Sequence, residues 1–468
     1  MKKAISLLLL SLLTGCMVGP DYAPPCIDAP QEWNTKLDQD CTFCDLQWWS
    51  HFNDPVLDEL IVLALNENKD LLIATERINE FFGFYRITRS RLFPQIFADT
   101  NAGRQKISTN VTPLTPGIGN PDNLFELLVQ GSWELDLWGR LRRETEASYA
   151  ELLAAEEARQ SVIQTLIASL ATSYIDLLRL DRQLVIALET TKTRRDTLEL
   201  FQLRYDAGVI SKLILSQIKS EYEDAKASIP VFEKAVIQQE YLISILLGRN
   251  PGPIPRGGTL NELLNPEIPC GLPSDLLTQR PDIREAENLL IAANARIGVA
   301  RAAYFPDISL TGAYGYSSRE LGDLITQNAL AWNFFVPTTT PIFTAGALRG
   351  QLDASISQKE QALLNYLRRI QDAFKEVEDA LVDIQKTKEQ LATQEKQVES
   401  LQTYADLARL RYDDGYTSYL EVLDAERSLF NVQLAYSETQ SNLFIAYANL
   451  YKAMGGSWIQ DANCLIYK

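Results

Sequence analysis

The chain has 468 residues, room for a large core, with 22% charged residues and a formal charge of −17 at neutral pH. That charge argues against a nucleic-acid partner, and six cysteines beside a single histidine offer little to a metal centre. Past the first residues, no uncharged apolar run approaches the ~20 residues of a spanning helix, so any further membrane crossing falls to strands.

At the start, Lys2 and Lys3 precede the apolar run Ala4 to Leu13, and Leu13-Thr14-Gly15-Cys16 closes it with small residues before a cysteine. Residues 1–15 thus read as a secretory signal, too short to cross a bilayer. Leu-Thr-Gly-Cys resembles the lipobox of bacterial lipoproteins, which implies cleavage before Cys16 and acyl chains upon it. An ordinary secretory signal with an incidental cysteine is the plainer alternative. Met17, rather than Asp, after the cysteine implies by the same resemblance an outer-membrane destination. Losing Lys2 and Lys3 takes the formal charge to about −19, which either favours cations in a lumen or marks a solvated acidic surface.

Five further cysteines, Cys26, Cys41, Cys44, Cys270 and Cys464, suggest disulfides in an oxidising periplasm, with connectivity not deducible. Cys41-Thr42-Phe43-Cys44 reads as a local bridge, because no thioredoxin-like pattern surrounds it. His51, within Trp48-Trp49-Ser50-His51-Phe52, reads as a packing residue.

An internal repeat organises the rest. Leu203-Arg204-Tyr205-Asp206-Ala207-Gly208 recurs as Leu410-Arg411-Tyr412-Asp413-Asp414-Gly415, an offset of 207 that Gly139/Gly346 and Leu247-Gly248/Met454-Gly455 keep. Ile163, Ile167, Leu170, Tyr174, Leu177 and Leu184 follow a heptad, and the same offset lands on Ile370, Phe374, Val377, Leu381, Ile384 and Leu391. Residues 141–205 hold neither Pro nor Gly, so a continuous helix there reaches about 100 Å. Ala147, Ala150, Ala154 and Ala158 either admit a close neighbour or simply favour helix. Gly208 and Gly415 stop the long helices, and Ser211 and Ser418 stand as N-caps of returning helices. Each copy is therefore a helical hairpin.

Between helices, Ile308, Leu310, Tyr314 and Tyr316 alternate with small polar residues, predicting a strand over 306–318. Weaker candidates are 95–109, 124–137 and 330–343, two strands per copy. Trp133, Trp138, Trp332, Phe334 and Phe335 form either an interfacial girdle or the packing of a soluble hairpin. Four strands cannot close a barrel in lipid, so closure requires several chains; three supply twelve strands and two supply eight, a barrel normally filled by its own side chains, and the spacing does not decide between them. The layout is a signal at 1–15, an anchored segment at 16–54, a first repeat at 55–248 with its hairpin at 140–248, and a linking segment at 249–275. A second repeat follows at 276–455, with its hairpin at 347–455, and then a tail at 456–468.

Cys16-Met17-Val18-Gly19-Pro20-Asp21-Tyr22, then Trp133-Glu134-Leu135-Asp136-Leu137-Trp138-Gly139-Arg140, then Leu277-Thr278-Gln279-Arg280-Pro281-Asp282-Ile283, together with the doubled Arg-Tyr-Asp-x-Gly, resemble the outer membrane efflux lipoproteins related to TolC and OprM. The resemblance covers nearly the whole chain. It implies a mainly α fold with a small membrane β-barrel: a TolC-like homotrimer with a twelve-stranded barrel, a periplasmic α-barrel of coiled-coil helices and an equatorial region that takes in 249–275 and 456–468. It also implies an exit duct in the outer membrane, a periplasmic adaptor, and an inner-membrane pump, usually proton-driven, with no cofactor beyond the lipid on Cys16. By the same resemblance Leu420, Asp424 and Arg427 constrict the periplasmic end. The tips Gly208, Val209, Ile210, Ser211, Gly415, Tyr416, Thr417 and Ser418 receive the adaptor, while also being plain turn residues.

Leu420, Asp424 and Arg427, at i, i+4 and i+7, share one helix face. Their first-copy counterparts are Leu213, Gln217 and Ser220, without charge, so the hairpins are not equivalent. The plainer reading is an ordinary i, i+3 pair between Asp424 and Arg427. A trimeric coiled-coil stalk or adhesin is the alternative function, although it does not predict two copies in register with strands in each. An enzyme fares worse, lacking a phosphate loop, a Ser-His-Asp set or a carboxylate cluster.

Overall fold

The structure is a computed structural model that describes residues 17–35, 47–108, 110, 119–266, 273–456 and 458–466. The signal, Cys16, and Cys41, Cys44 and Cys270 lie outside the described residues. Cys26 and Cys464 are both free and exposed, so neither takes part in the disulfides suggested by the sequence.

In chain order, α1 (Pro55–Glu67) and α2 (Lys69–Ser90) lead to β1 (Gln95–Gln105) and β2 (Asp122–Glu134), then α3 (Arg140–Asp206) and α4 (Lys212–Leu246). The second half repeats the plan with α5 (Pro281–Ala302), β3 (Asp307–Ser318), β4 (Leu330–Phe335), a two-residue β5 (Thr338–Thr339), α6 (Ala347–Asp413) and α7 (Tyr419–Met454), and α8 (Trp458–Leu465) closes the chain. The stretch suggested as a strand over 330–343 is broken in two at Pro337, which lacks the N–H a ladder needs. One 18-residue window of α3 has the length and composition of a spanning helix, but most of it is buried inside the protein, as in a core helix.

Two compact units form, one from Met1–Cys26, Arg77–Glu156 and Glu285–Leu367, the other from Ile27–Glu76, Glu157–Arg284 and Arg368–Lys468. In the first, an antiparallel sheet of order β1-β2-β3-β4 leaves β1 and β4 as its edges, with β5 paired to the start of β3. The small-residue stripe does admit a neighbour: Ala147 and Ala150 of α3 bury against Ala292 and Ala295 of α5. The Trp-Glu-Leu-Asp-Leu-Trp-Gly-Arg segment starts α3, with Asp136 accepting from the backbone N–H groups of Leu141 (3.0 Å) and Arg142 (2.9 Å). Glu134 pairs with Arg140 at 2.6 Å. Trp138 does not join an outward girdle. Its ring stacks on Phe305 at 4.7 Å and its Nε1–H donates to Pro306 O, so it packs at the foot of the sheet.

Residues after Cys16 are laid into this unit as a strap. Val18 N donates to Trp138 O at 3.0 Å, and Asn294 Nδ2 donates to Pro20 O at 3.0 Å. The nearly buried Arg143 holds Asp21 at 2.6 Å, and Tyr22 donates to Glu287 at 3.0 Å. Gly19 faces Gly298 so closely that a Cβ on Gly19 would lie 2.5 Å from the Gly298 Cα, which explains why neither carries a side chain.

The second unit holds the hairpins from Glu157 and from Arg368 onward. Of the heptad stripe, Ile163, Ile167, Leu170, Tyr174 and Leu177, with Ile370, Val377, Leu381 and Ile384, are buried, while Leu184, Phe374 and Leu391 are half-buried. Trp48, Trp49, Phe52, Phe444, Tyr451 and Trp458 join the first copy's stripe in one hydrophobic core. Arg280, the arginine of Gln-Arg-Pro-Asp-Ile, donates to Ala453 O at 2.9 Å and pairs with Asp282 (2.8 Å) and Glu376 (2.7 Å), fixing the start of α5 against α7 and α6.

Candidate functional site

Both hairpin tips close in the same way. Val209 N donates to Arg204 O (2.9 Å) and Gly208 N to Tyr205 O (2.8 Å); Tyr416 N to Arg411 O (2.8 Å) and Gly415 N to Tyr412 O (3.0 Å) repeat the pattern. Gly208 at φ 74° and Gly415 at φ 78° take the left-handed turn that this motif requires. Ser211 caps α4 by accepting from Ile214 N at 3.5 Å. Ser418 occupies the matching position but its hydroxyl makes no capping bond; Thr417 instead donates to Glu421, which also pairs with Arg411 at 3.1 Å. The adaptor-docking candidates are mostly exposed, Val209 and Tyr416 strongly so, with Ile210 and Thr417 half-buried.

Leu420, Asp424 and Arg427 lie together on one exposed face of α7, Leu420 being 60% exposed. With Gln217, Ser220 and Glu221 of α4 and Tyr404 of α6 they line a groove of about 610 Å³. The structure thus brings the three candidates beside Gln217 and Ser220, the counterparts of Asp424 and Arg427. Within one chain Arg427 Nη2 donates to Asp424 Oδ1 at 3.0 Å, both side chains more than half exposed. Such a pair stabilises the helix by only a few tenths of a kcal/mol.

Beneath that groove lies a layer that sequence reading missed. Phe201 of α3, 1% exposed, packs its ring 4.4 Å from Tyr419 of α7 and 5.9 Å from Tyr412 of α6. Arg204 Nη1 donates to the Tyr412 hydroxyl at 2.9 Å, joining the two copies at their tips. Deeper, Arg194 of α3, nearly buried, donates to Glu221 O at 2.6 Å, pairs with the Glu221 carboxylate at 3.1 Å and lies over the Phe430 ring. Arg409 of α6 approaches Glu426 of α7 at 3.6 Å and Asp413 at 3.9 Å. Burial pushes the Glu426 carboxyl up from its ordinary value, with Arg409 and Arg194 pulling it down and Glu221 adding to the rise. Burial likewise raises the Tyr419 hydroxyl. A cleft of about 400 Å³ opens onto these groups, lined by Glu189, Arg194, Asp406, Arg409, Glu426 and Phe430 among others.

Strand register sorts the sheet into two faces. Ala98↔Val129, Val129↔Tyr314 and Tyr314↔Trp332 set one row, and Ile96↔Gly131, Gly131↔Gly312 and Gly312↔Phe334 the next. That face is apolar and largely exposed, with Ile96 at 73% and Trp332 at 73%. Residues one step away, including Asn101, Glu126, Ser317 and Asn333, form the more polar face, on which Phe97 and Phe335 also stand. There Glu126 accepts from Asn101 Nδ2 at 3.3 Å and Ser317 Oγ at 3.4 Å. One face suits hydrocarbon and the other water, as a membrane barrel requires.

Two stretches of the chain, residues 60–249 and 272–456, match the family model described as outer membrane efflux protein. The chain is 35% identical over 470 residues to the solvent efflux pump outer membrane protein SrpC of Pseudomonas putida, covering 98% of this chain and 99% of that protein. It is 35% identical over 454 residues to the cation efflux system protein CusC of Escherichia coli O6:H1, covering 96% and 97%. Its fold is similar to the open state of the MtrE outer membrane channel of Neisseria gonorrhoeae, with a TM-score of 0.85, 30% identity and coverage of 95% and 99%.

Proposed function

The chain belongs to the outer membrane efflux protein family and is the outer-membrane exit duct of an efflux pump, and from that premise we propose that it works as a lipid-anchored homotrimer gated by Leu420, Asp424 and Arg427. Cys16 carries the lipid once residues 1–15 are removed. Three sheets join edge to edge, β4 of one chain against β1 of the next, so that no backbone group is left unpaired in lipid. The tips at 208–211 and 415–418 meet a periplasmic adaptor, which links the duct to a proton-driven inner-membrane pump.

The observation that carries the gate is the Leu420, Asp424 and Arg427 face itself. Its two charges pair with each other and stand more than half exposed beside uncharged Gln217 and Ser220, in a groove that Glu221 and Glu421 also line. A threefold axis brings three such faces together, where the charges exchange partners between chains and the leucines close the remaining gap. The duct passes what its pump supplies. The relatives' roles in solvent and cation efflux name the two cargo classes to assay first.

Single-channel conductance in a planar bilayer tests the proposal. Wild type is expected to conduct weakly, and Asp424→Ala with Arg427→Ala to raise conductance severalfold. Equal, sizeable conductance in both would move the gate elsewhere. No channel from folded, inserted protein would overturn the duct and favour a stalk.

A further inference from the structure

Glu426 sits on α7 between Asp424 and Arg427 in sequence but turns to the other side of the helix, where its side chain is 22% exposed against theirs at over half. Every helix of both hairpins contributes a charged group there. Arg194 and Glu189 come from α3, Glu221 and Asp224 from α4, and Arg409 and Asp406 from α6. Tyr419 comes from α7 itself, its hydroxyl 3.4 Å from Arg409.

The two cations do not neutralise this set. Arg194 is engaged by Glu221 at 3.1 Å and Asp224 at 3.8 Å. Arg409 divides itself between Asp413 and Glu426, and its 3.6 Å approach to Glu426 is too long for a hydrogen bond. A carboxylate withdrawn from water beside Phe430, without a hydrogen-bonded counter-ion and with other carboxylates lining its cleft, holds a proton more readily than one in bulk water. The cleft is open, so protons reach it.

We infer that Glu426 is a proton-linked fastener between the two hairpins: the packed arrangement binds a proton at Glu426, and separating α6 and α7 from α3 and α4 hydrates the carboxylate and releases that proton. The direction follows from linkage. Acid favours the packed tip, and rising pH favours separation, by at most about tenfold per pH unit per chain for a single proton. The raised proton affinity of Glu426 in the packed state has the sign this requires. For conduction, the consequence rests on the gate reading above, because α7 carries Glu426 on one side and Asp424 and Arg427 on the other.

The test is hydrogen exchange of full-length protein over residues 195–215 and 400–430, comparing wild type with Glu426→Gln at pH ~3.5, below the ordinary carboxylate value of about 4.3, and again at pH ~7.5. Comparison at equal pH cancels the chemical rate. Wild type is expected to match the variant at the acid pH and to exchange severalfold faster at the higher one. A wild-type-to-variant ratio that is the same at both pH values overturns the inference, as does faster exchange in the variant at pH 7.5, which would make the carboxylate a net tie. Arg409→Gln provides a second check, since it removes a group that favours the ionised form and must shift the wild-type transition to higher pH. Conductance of the same samples separates the two readings: a pH-linked tip with unaltered conductance keeps the fastener and removes the gate.

Discussion

Truncating Phe201 to alanine tests whether the two hairpins are held together at their tips by aromatic packing. The ring is 1% exposed, lies 4.4 Å from Tyr419 and 5.9 Å from Tyr412, and carries the Arg204 guanidinium 5.2 Å over its face. Buried Phe→Ala changes cost about 3–5 kcal/mol, the spread reflecting how far a site can collapse. Phe201 is only five residues from the end of α3 at Asp206. Tyr412 and Tyr419 can therefore relax into the space, which argues for the low end, about 3 kcal/mol. If the tip opens locally, that loss speeds exchange of tip amides by roughly a hundredfold, at tenfold per 1.4 kcal/mol. Hydrogen exchange read by mass spectrometry reports it peptide by peptide. Leu203→Ala is the control, since Leu203 is 68% exposed and its loss should stay within about 0.5 kcal/mol. Equal exchange in the two variants would refute the idea that this cluster joins the copies.

Two further substitutions probe the first unit. Gly298→Ala places a Cβ 2.8 Å from Arg143 Cγ and 2.9 Å from Val18 O, so the strap at 17–22 should lose its protection from limited proteolysis. Gly350→Ala, inside α6 with open space around it, should be neutral or stabilise by about 0.5–1 kcal/mol. At Asp58, burial and then the charge of Asp54 push the carboxyl up, and its Oδ1 has no hydrogen-bond partner. A folded-state value above the unfolded one means that ionisation costs stability as pH rises through it and costs nothing below the unfolded value, near pH ~4. Asp58→Asn is therefore expected to raise the denaturation midpoint at pH 7.5 and leave it unchanged at pH ~3; the same gain at both would refute the assignment.

Much of the helical framework was legible because its determinants are local and doubled. A heptad, a glycine that stops a helix and a serine that restarts it need no knowledge of distant partners, and the offset of 207 states each one twice. The strands were legible where alternation was strict, as in β3, and misjudged where Pro337 interrupts a run of otherwise suitable residues. Trp138 looked like its neighbours Trp133 and Trp332 in sequence; only the fold brings Phe305 and Pro306 beneath it. Ser418 matched Ser211 as an N-cap, yet its hydroxyl makes no capping bond, and the side-chain bond at that turn is Thr417 to Glu421. For the site, i, i+4, i+7 spacing sufficed to place Leu420, Asp424 and Arg427 on one face, whereas the Arg194, Arg409 and Glu426 layer joins residues more than two hundred apart.

That layer had a signal all the same. Adding or subtracting 207 takes Arg194 to Leu401, Glu221 to Ser428, Arg409 to Gln202 and Glu426 to Lys219, while Phe201 falls on Ala408. In a duplicated hairpin, positions that serve only their own copy can stay alike, because each copy needs the same stripe and the same turn. Where like side chains would face each other across the copies, likeness can fail: two facing arginines repel, and two phenylalanines overfill the buried cluster that Phe201 and Ala408, both 1% exposed, share. Asp424 and Arg427, opposite Gln217 and Ser220, break the repeat in the same way. These departures from the repeat fall at the contact between hairpins, and exchanging two of them tests it: Phe201→Ala combined with Ala408→Phe should recover part of the tip protection that Phe201→Ala alone removes. A double variant whose tip exchanges as fast as the sum of its two single changes would show that these positions do not pack as complements.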